Sequence, residues 1–148
     1  LTYSAQGGQI TDICMCDNSH SVASTSTNGS IHVFKVEYGK MTRQGGSDSS
    51  RVRDLRVVRA SPVLQRDVKS EGAALMVRHF TTHSQSMLVY ATQMGFIHGW
   101  DLRSHREAWV FKVTPDLGFL TAMVLGADQV CVAIRLSLVY VRCCGRRV

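Results

Sequence analysis

The sequence of 148 residues predicts an all-β fold made of tandem antiparallel hairpins. Three observations support this prediction. No long stretch keeps the 3.6-residue period of an amphipathic helix, and short apolar or alternating runs recur between clusters of Gly, Ser, Asn and Asp. These runs also repeat in the same order along the chain, which indicates a modular architecture.

Composition limits the classes of protein that remain. Apolar residues make up 45% of the chain and charged residues 19%, values that fit one globular domain with a core. No apolar run approaches the roughly 20 residues of a membrane-spanning helix. The net charge of +6 falls largely on the last 14 residues, so the sequence does not predict a nucleic-acid surface. The N-terminus shows neither a signal peptide nor an initiator Met, and we therefore expect a piece of a longer protein.

The cysteines predict neither disulfides nor zinc. They occur at positions 14, 16, 131, 143 and 144, an odd number without a C-x-x-C spacing. We expect small buried side chains in the reducing cytoplasm. No cofactor, metal ligand or catalytic residue is predicted.

Eleven short runs are predicted as strands. They comprise residues 9–14, 21–25, 30–36, 56–59, 74–80, 87–91, 96–101, 108–113, 119–125, 130–134 and, more weakly, 138–141. Aligning Gly29 with Gly95, an offset of 66 residues, matches the second and third strands of two modules. The preceding strands align residues 10–13 with 77–80 and then with 120–123, offsets of 67 and 43. The second offset lies in the ~40–45 residue range of WD40 repeats, in which each unit supplies four strands of a propeller blade.

Two aromatic residues end the third strands of these modules. Trp100-Asp101 is the dipeptide that gives the WD40 repeat its name, and Phe34 takes the place of the aromatic residue in the first module. The Gly-His pair that opens an ideal WD40 unit is missing. The sequence therefore predicts a divergent WD40 module in which the buried hydrogen-bond network is incomplete.

Turn residues separate the second and third strands. Asn28-Gly29 is a hairpin signal, because both residues tolerate the positive φ of a type I′ turn. Met94-Gly95 is a weaker version at the equivalent position. Asn28-Gly29-Ser30 also matches a glycosylation acceptor, but without a signal peptide we interpret it as a turn.

The modules divide the chain into four parts. Residues 1–37 form a first blade, 38–72 a polar insertion with the outer strand of the next blade, 73–106 a second blade, and 107–148 a divergent third blade with a basic tail. We therefore predict a partial WD40-type β-propeller of about two to three four-stranded antiparallel blades in an incomplete ring. Such a stack leaves apolar end faces bare, so the segment is expected to aggregate or to behave as a molten species when expressed alone.

The stretch of residues 89–104, VYATQMGFIHGWDLRS, resembles the C-terminal propeller of the class III phosphatidylinositol 3-kinase regulatory subunit family. The resemblance covers roughly residues 1–128. It implies a non-catalytic scaffold, with a protein-kinase-like domain elsewhere in the parent. It also implies docking to the lipid kinase catalytic subunit and to Beclin-type coiled-coil subunits. The implied location is cytoplasmic, on endosomal and autophagic membranes and only indirectly bound to them.

Two other functions remain open at this point. Trp100-Asp101-Leu102-Arg103 matches a Trp-Asp-x-Arg pattern that resembles substrate receptors of cullin-RING ubiquitin ligases, in which the arginine meets the adaptor. Arg103 is therefore a candidate partner contact, although solvation or pairing on its own blade is the more ordinary expectation. An enzymatic function is disfavoured. Asp12, Ser24 and a histidine could in principle form a catalytic triad, but the sequence lacks the nucleophile-elbow motif that would expose the serine.

Overall fold

A computed structural model of the chain describes residues 4–16, 20–42, 54–113, 120–125, 129–134 and 137–142. These residues form eleven strands and one 3-10 turn, Lys69–Glu71. The strands are β1 (Ile10–Cys16), β2 (Ser21–Ser26), β3 (Ser30–Thr42), β4 (Asp54–Asp67), β5 (Ala74–Thr81), β6 (Ser86–Thr92), β7 (Phe96–Asp101), β8 (Arg106–Lys112), β9 (Leu120–Leu125), β10 (Gln129–Ile134) and β11 (Ser137–Arg142). The all-β prediction is confirmed, and each predicted strand overlaps one of these elements.

The strands form three antiparallel sheets in chain order. The first sheet is β1-β2-β3-β4, the second is β5-β6-β7-β8, and the third is described over β9-β10-β11. Every neighbouring pair is a hairpin, so each module needs only short connections and local pairing. The described residues include no helix long and apolar enough to span a lipid bilayer.

The sheets stack face to face through two hydrophobic cores. The first core lies between the first and second sheets and contains Cys16, Ala23, Ile31, Val33, Val68, Ala74, Val77, Leu88, Tyr90 and Leu102. The second lies between the second and third sheets and contains Val89, Ala91, Ile97, Leu120 and Met123. Alternate residues of β6 thus serve opposite cores, and all seven of its positions are buried. Burial of each large side chain contributes on the order of 1.5–3 kcal/mol.

Hydrogen bonds confirm the 66-residue offset of the second and third strands. The amide of Val36 donates to the carbonyl of His20 at 3.0 Å, and the amide of Leu102 donates to that of Ser86 at 2.8 Å. These two bonds are related by the same offset of 66 residues. The modules therefore match in backbone geometry as well as in sequence.

The offset predicted for the first strands is wrong by three residues. A register shift falls between Ile10 and Asp12 in β1 and between Ala74 and Met76 in β5, and β9 shifts after Leu120. Equivalent residues are thus 64 and then 46 positions apart. An offset of 67 would reverse the faces of β5 relative to β6, because side chains alternate along a strand. The hairpin from Ala74 to Thr92 is two residues longer than the hairpin from Ile10 to Ser26. The offset between the two sheets is therefore smaller by two for the first strands than for the second strands, and equivalent side chains stay on the same face.

The region of residues 38–72 also differs from the prediction. Strands β3 and β4 pair from Ser30 with Asp67 to Thr42 with Asp54, with one register shift between Val33 and Phe34, so β4 is the fourth strand of the first sheet and not of the next blade. Similarly, β8 lies in the second sheet, although residues from 107 onward were assigned to the third blade. Polar residues can pair in a two-stranded ribbon, and sequence alone did not distinguish that ribbon from a loop. The Gly- and Ser-rich residues 44–50 lie outside the described part.

Candidate interaction site

The end of β7 is fixed by the carboxylate of Asp101. It accepts hydrogen bonds from the hydroxyl of Ser104 at 2.8 Å, the amide of Arg103 at 3.1 Å and the amide of Ser86 at 3.3 Å. Burial alone would raise the pKa of Asp101, but these hydrogen bonds outweigh it and hold that pKa below its ordinary value. The aspartate thus joins the β7–β8 turn to the start of β6, as a structural role in the repeat requires.

Trp100 closes the first core at the same corner. Its ring packs against the cluster between the first and second sheets, and the guanidinium of Arg66 in β4 lies 3.9 Å from the ring centroid. Its Nε1 is buried without a hydrogen-bond partner among the described residues, in line with the incomplete network predicted. Phe34, the equivalent residue, is half-buried on the face of the first sheet that points away from the second.

The turn predicted at Asn28-Gly29 has a different geometry. Gly29 has φ +80°, whereas His105 is the one non-glycine residue with positive φ in the described ranges, so Asn28 is not left-handed. The amide of Gly29 donates to the carbonyl of Ser26 at 3.1 Å, and the Asn28 side chain accepts from the Ser30 amide at 3.0 Å. A three-residue loop with glycine at its last position therefore replaces the predicted type I′ turn.

Gly95 repeats the role of Gly29. Its φ is +82°, and its amide donates to the carbonyl of Thr92 at 3.0 Å. In both turns the glycine carbonyl also accepts from the residue that follows the fourth strand: Val68 donates to Gly29 at 2.8 Å and Val113 to Gly95 at 2.9 Å. A side chain at position 29 would come within 2.8 Å of the Gly72 carbonyl, so glycine is needed there for space as well as for φ.

Sequence reasoning missed a polar cluster around His98. The His98 ring nitrogens lie 2.8 Å from the Glu71 carboxylate and 2.7 Å from that of Glu107, and its ring stacks on Tyr90 at 4.8 Å. Arg66 lies 3.7 Å from Glu107 and completes the cluster. Burial raises the pKa of Tyr90 to about 12. The recurrence of His32 and His98 was visible in the sequence, but the two glutamates come from other elements.

This cluster connects the second sheet to the 3-10 turn that follows the first sheet. The His98 side chain is only 6% exposed, and its partners lie on the 3-10 turn between the sheets and on β8. Because both ring nitrogens of His98 lie within hydrogen-bond distance of a carboxylate, the cluster fixes β7, β8 and the connecting turn relative to one another. The Tyr90 hydroxyl is buried without a hydrogen-bond partner among the described residues.

The residues considered for a catalytic triad do not come together. Asp12 accepts from the amide of Val77 at 3.0 Å and pairs with Arg78, which ties β1 to β5. Ser24 bonds instead to the side chain of Gln6. In the described ranges no group of three or more His, Cys, Asp or Glu residues is placed to hold a metal ion.

The candidate partner contact Arg103 is exposed on the loop after β7. One guanidinium nitrogen donates to the carbonyl of His83 at 2.9 Å, so the side chain is anchored on its own sheet. The rest of the guanidinium group faces solvent at the edge of the sheet. Its contact with a partner stays a prediction.

Comparisons with known proteins agree with this architecture. No family model matches the chain. The chain is 35% identical over 128 residues to the probable serine/threonine-protein kinase vps15 of Dictyostelium discoideum, a match that covers 86% of this chain and 6% of that protein. It is 31% identical over 126 residues to the serine/threonine-protein kinase VPS15 of Arabidopsis thaliana, covering 84% of the chain and 8% of that protein.

Solved structures resemble the chain in fold and have low sequence identity to it. Kluyveromyces lactis Hsv2 aligns over 93% of this chain and 34% of its own, with a TM-score of 0.54 and 8% identity. Hsv2 from Kluyveromyces marxianus aligns over 95% of this chain and 34% of its own, with a TM-score of 0.53 and 12% identity. Both neighbours are propeller proteins.

The stacked sheets and these neighbours define a partial WD40-type β-propeller, with two four-stranded blades and part of a third in an incomplete ring. The predicted fold class is confirmed. The sequence matches, which span 6% and 8% of the curated relatives, narrow the assignment further. The chain is similar to a segment of Vps15 proteins, and the resemblance found in the sequence is confirmed.

Proposed function

We propose that the segment is a non-catalytic scaffold in the regulatory subunit of a phosphatidylinositol 3-kinase complex that acts in autophagy and in endosomal and vacuolar sorting. The similarity to two Vps15 proteins supports this proposal, and the chain carries no Gly-rich kinase loop, His-Arg-Asp or Asp-Phe-Gly motif. Its partners are then the lipid kinase catalytic subunit and Beclin-type coiled-coil subunits. Contact with endosomal and autophagic membranes passes through the complex.

The observation that carries the proposal is the outer face of the first sheet, defined by Ile13, Met15, Val22 and Phe34. The equivalent residues of the second sheet, Val77, His79, Leu88 and Trp100, belong to the face that packs on the first sheet. In the first sheet this face is open, with Ile13 62% and Met15 54% exposed. A blade-contact face without a blade favours a segment of a larger, rigid ring over a self-contained enzyme.

The scaffold acts by presenting its edge loops to the other subunits. The stacked sheets hold their edge loops in fixed positions, and binding energy then comes from a few well-placed anchors. The loops of residues 82–85 and 102–105 lie side by side at one edge of the second sheet. Rigid loops lose little conformational entropy on binding, which suits a module that assembles several subunits.

The cullin-RING alternative is not favoured. Its one support is the short Trp-Asp-x-Arg pattern. Two residues of that pattern have roles in the repeat, since Trp100 packs against the first core and the Asp101 carboxylate binds its own turn. The similarity over most of the chain is to two Vps15 proteins.

Co-purification of the full-length protein with the proposed subunits tests the scaffold role. Leu88→Asp places a charge in the first core, and Val110→Asp places the same charge on an exposed position of β8. We expect the Beclin-type and catalytic subunits to co-purify with the wild type and with Val110→Asp, but not with Leu88→Asp. Equal recovery with both variants, or recovery of a cullin adaptor instead, would overturn the proposal.

A further inference from the structure

One edge of the second sheet carries two neighbouring loops without acidic residues. The loop between β5 and β6 comprises residues 82–85, and the loop between β7 and β8 comprises residues 102–105. All of these residues except Leu102 are exposed, and so is Arg106 at the start of β8. We call this surface, which includes the cations Arg103 and Arg106 and the histidines His83 and His105, the basic edge.

The acidic residues next to the basic edge are already engaged. Asp101 accepts three hydrogen bonds within its own turn, and Glu107 contacts His98 and Arg66. In the described part of the chain, neither Arg103 nor Arg106 forms an ion pair within 4.0 Å. Among the residues that the structure describes, the positive charge of this edge therefore has no acidic partner.

The opposite edge of the sheets carries more paired charge. There Lys69 pairs with Asp67 at 2.7 Å and Glu71 is bound to His98, while Lys112 lies 4.8 Å from the centroid of the Phe96 ring. An approaching partner with negative charge is therefore attracted more strongly to the basic edge.

The basic edge is also preorganised. The hydrogen bond of 2.9 Å from Arg103 to the His83 carbonyl joins the two loops, and the Arg103 amide is held by Asp101. His105 adopts φ 53°, which bends the chain sharply between the two arginines. A guanidinium group held in this way loses less side-chain entropy when it binds, and its planar shape fits a carboxylate.

We propose that the basic edge binds an acidic segment of a protein partner, with carboxylates placed against Arg103 and Arg106. An acidic segment is inferred from the positive charge of the edge. The planar guanidinium groups also suit it, because each can pair with both oxygens of an Asp or Glu carboxylate. The inference rests on the proposed scaffold function, since it assigns a surface and a chemistry to one of its subunit contacts.

Zero-length cross-linking in the purified complex tests the contact. Arg103→Lys and Arg106→Lys each place a primary amine at the basic edge, and a carbodiimide joins amines to carboxylates that touch them. We expect a cross-link from each introduced amine to Asp or Glu of another subunit, identified by mass spectrometry. The native Lys69 at the opposite edge is the internal control, and we expect it to link to Asp67 of this chain.

Charge reversal of the two arginines is a second, independent test of the contact. Arg103→Glu with Arg106→Glu should weaken binding of the acidic subunit by about tenfold per arginine and reduce its salt dependence. Lys69→Glu with Lys112→Glu makes the same charge change at the other edge and should leave binding unchanged.

Three outcomes overturn the inference. One is a complex that purifies but shows cross-links from positions 103 and 106 only within this chain, in which case the scaffold function stands. Another is binding of phosphatidylserine vesicles that depends on the two arginines without any protein cross-link. The third is failure of the subunits to assemble at all, which removes the proposed function as well.

Discussion

The first and second sheets are the same module with different neighbours. Their strand order, register shifts and turn hydrogen bonds agree, yet Ile13 of β1 is 62% exposed whereas the equivalent Val77 of β5 is fully buried. The second sheet is packed on both faces, and the first on one. In a stacked fold, burial is thus set by the adjacent module as much as by the residue itself.

The third strands show a second difference. Asp101 ends β7 by accepting hydrogen bonds from its turn, whereas the equivalent Lys35 cannot accept them and β3 continues to Thr42. The result is a compact corner in the second sheet and a long ribbon in the first. The two sheets therefore differ in shape from this position onward.

Removal of a core side chain should have the largest effect. Leu88→Ala is expected to lower the free energy of unfolding by about 3 kcal/mol, because Leu88 is completely buried between the two sheets. Val110→Ala on exposed β8 should cost less than about 1 kcal/mol. Amide hydrogen exchange of β6 in the full-length protein measures both, and equal protection in the two variants would contradict the packing described.

Gly99→Ala tests the face toward the third sheet. A Cβ at this position would lie 2.1 Å from the ring of Trp109, whereas the equivalent position in the first sheet holds Val33. We expect a loss of about 2 kcal/mol from overpacking, read from the denaturant midpoint. Ala108→Val adds volume at an exposed neighbour and serves as control. A loss no larger than that of the control would mean that Trp109 is not fixed over Gly99.

Asp101→Asn tests the compact corner through pH. Because the pKa of Asp101 is lowered in the folded state, its carboxylate stabilises the fold above its unfolded pKa of about 3.9, and this stability is lost as the pH falls. At pH 7 the variant should lose about 1.5 kcal/mol. Its unfolding free energy should also fall less steeply than that of the wild type between about pH 5 and 3.

Lys35→Asn is the matched variant in the first sheet. Lys35 pairs with Glu37 at 3.4 Å on the exposed surface, so its replacement should cost less than about 1 kcal/mol. Identical pH profiles for the wild type and Asp101→Asn would refute the role given to the aspartate.

The smallest effect is expected at the contact between the sheets near Trp100. Arg66→Gln removes the guanidinium group that lies 3.9 Å from the ring centroid, at a cost of about 1 kcal/mol and with a red shift of tryptophan emission. Lys112→Gln removes the corresponding contact to Phe96, where the distance is 4.8 Å, and should leave the emission unchanged. An unchanged spectrum in Arg66→Gln would show that the cation does not shield the ring.

The strand pattern could be predicted because alternation and turn residues are local properties. Runs such as residues 96–101 and 130–134 match β7 and β10 closely. The long hairpin of β3 and β4 was not predicted over residues 37–42, 54–55 and 60–67, because these residues show no sustained alternation of apolar and polar side chains. The register of the first strands depended on a hairpin length that no single residue type reveals.

The candidate site was predicted in part for the same reason. Trp100-Asp101 is a local motif, and the structure places it at the end of β7 as expected. The cluster of His98 with Glu71 and Glu107 joins residues 27 and 9 positions away, and such contacts arise only when the sheets are assembled. The type of turn at Asn28 likewise depends on the backbone that packs against Gly29.

Methionine oxidation in the full-length protein tests most directly whether the outer face of the first sheet is a blade-contact face. Met15 on that face and Met94 in an edge turn are both 54% exposed in this chain, whereas Met87 is 1% exposed. With hydrogen peroxide and mass spectrometry, we predict that Met15 oxidises as slowly as Met87 while Met94 oxidises rapidly. Equal and rapid oxidation of Met15 and Met94 would contradict the account, because the outer face would then lack a covering blade.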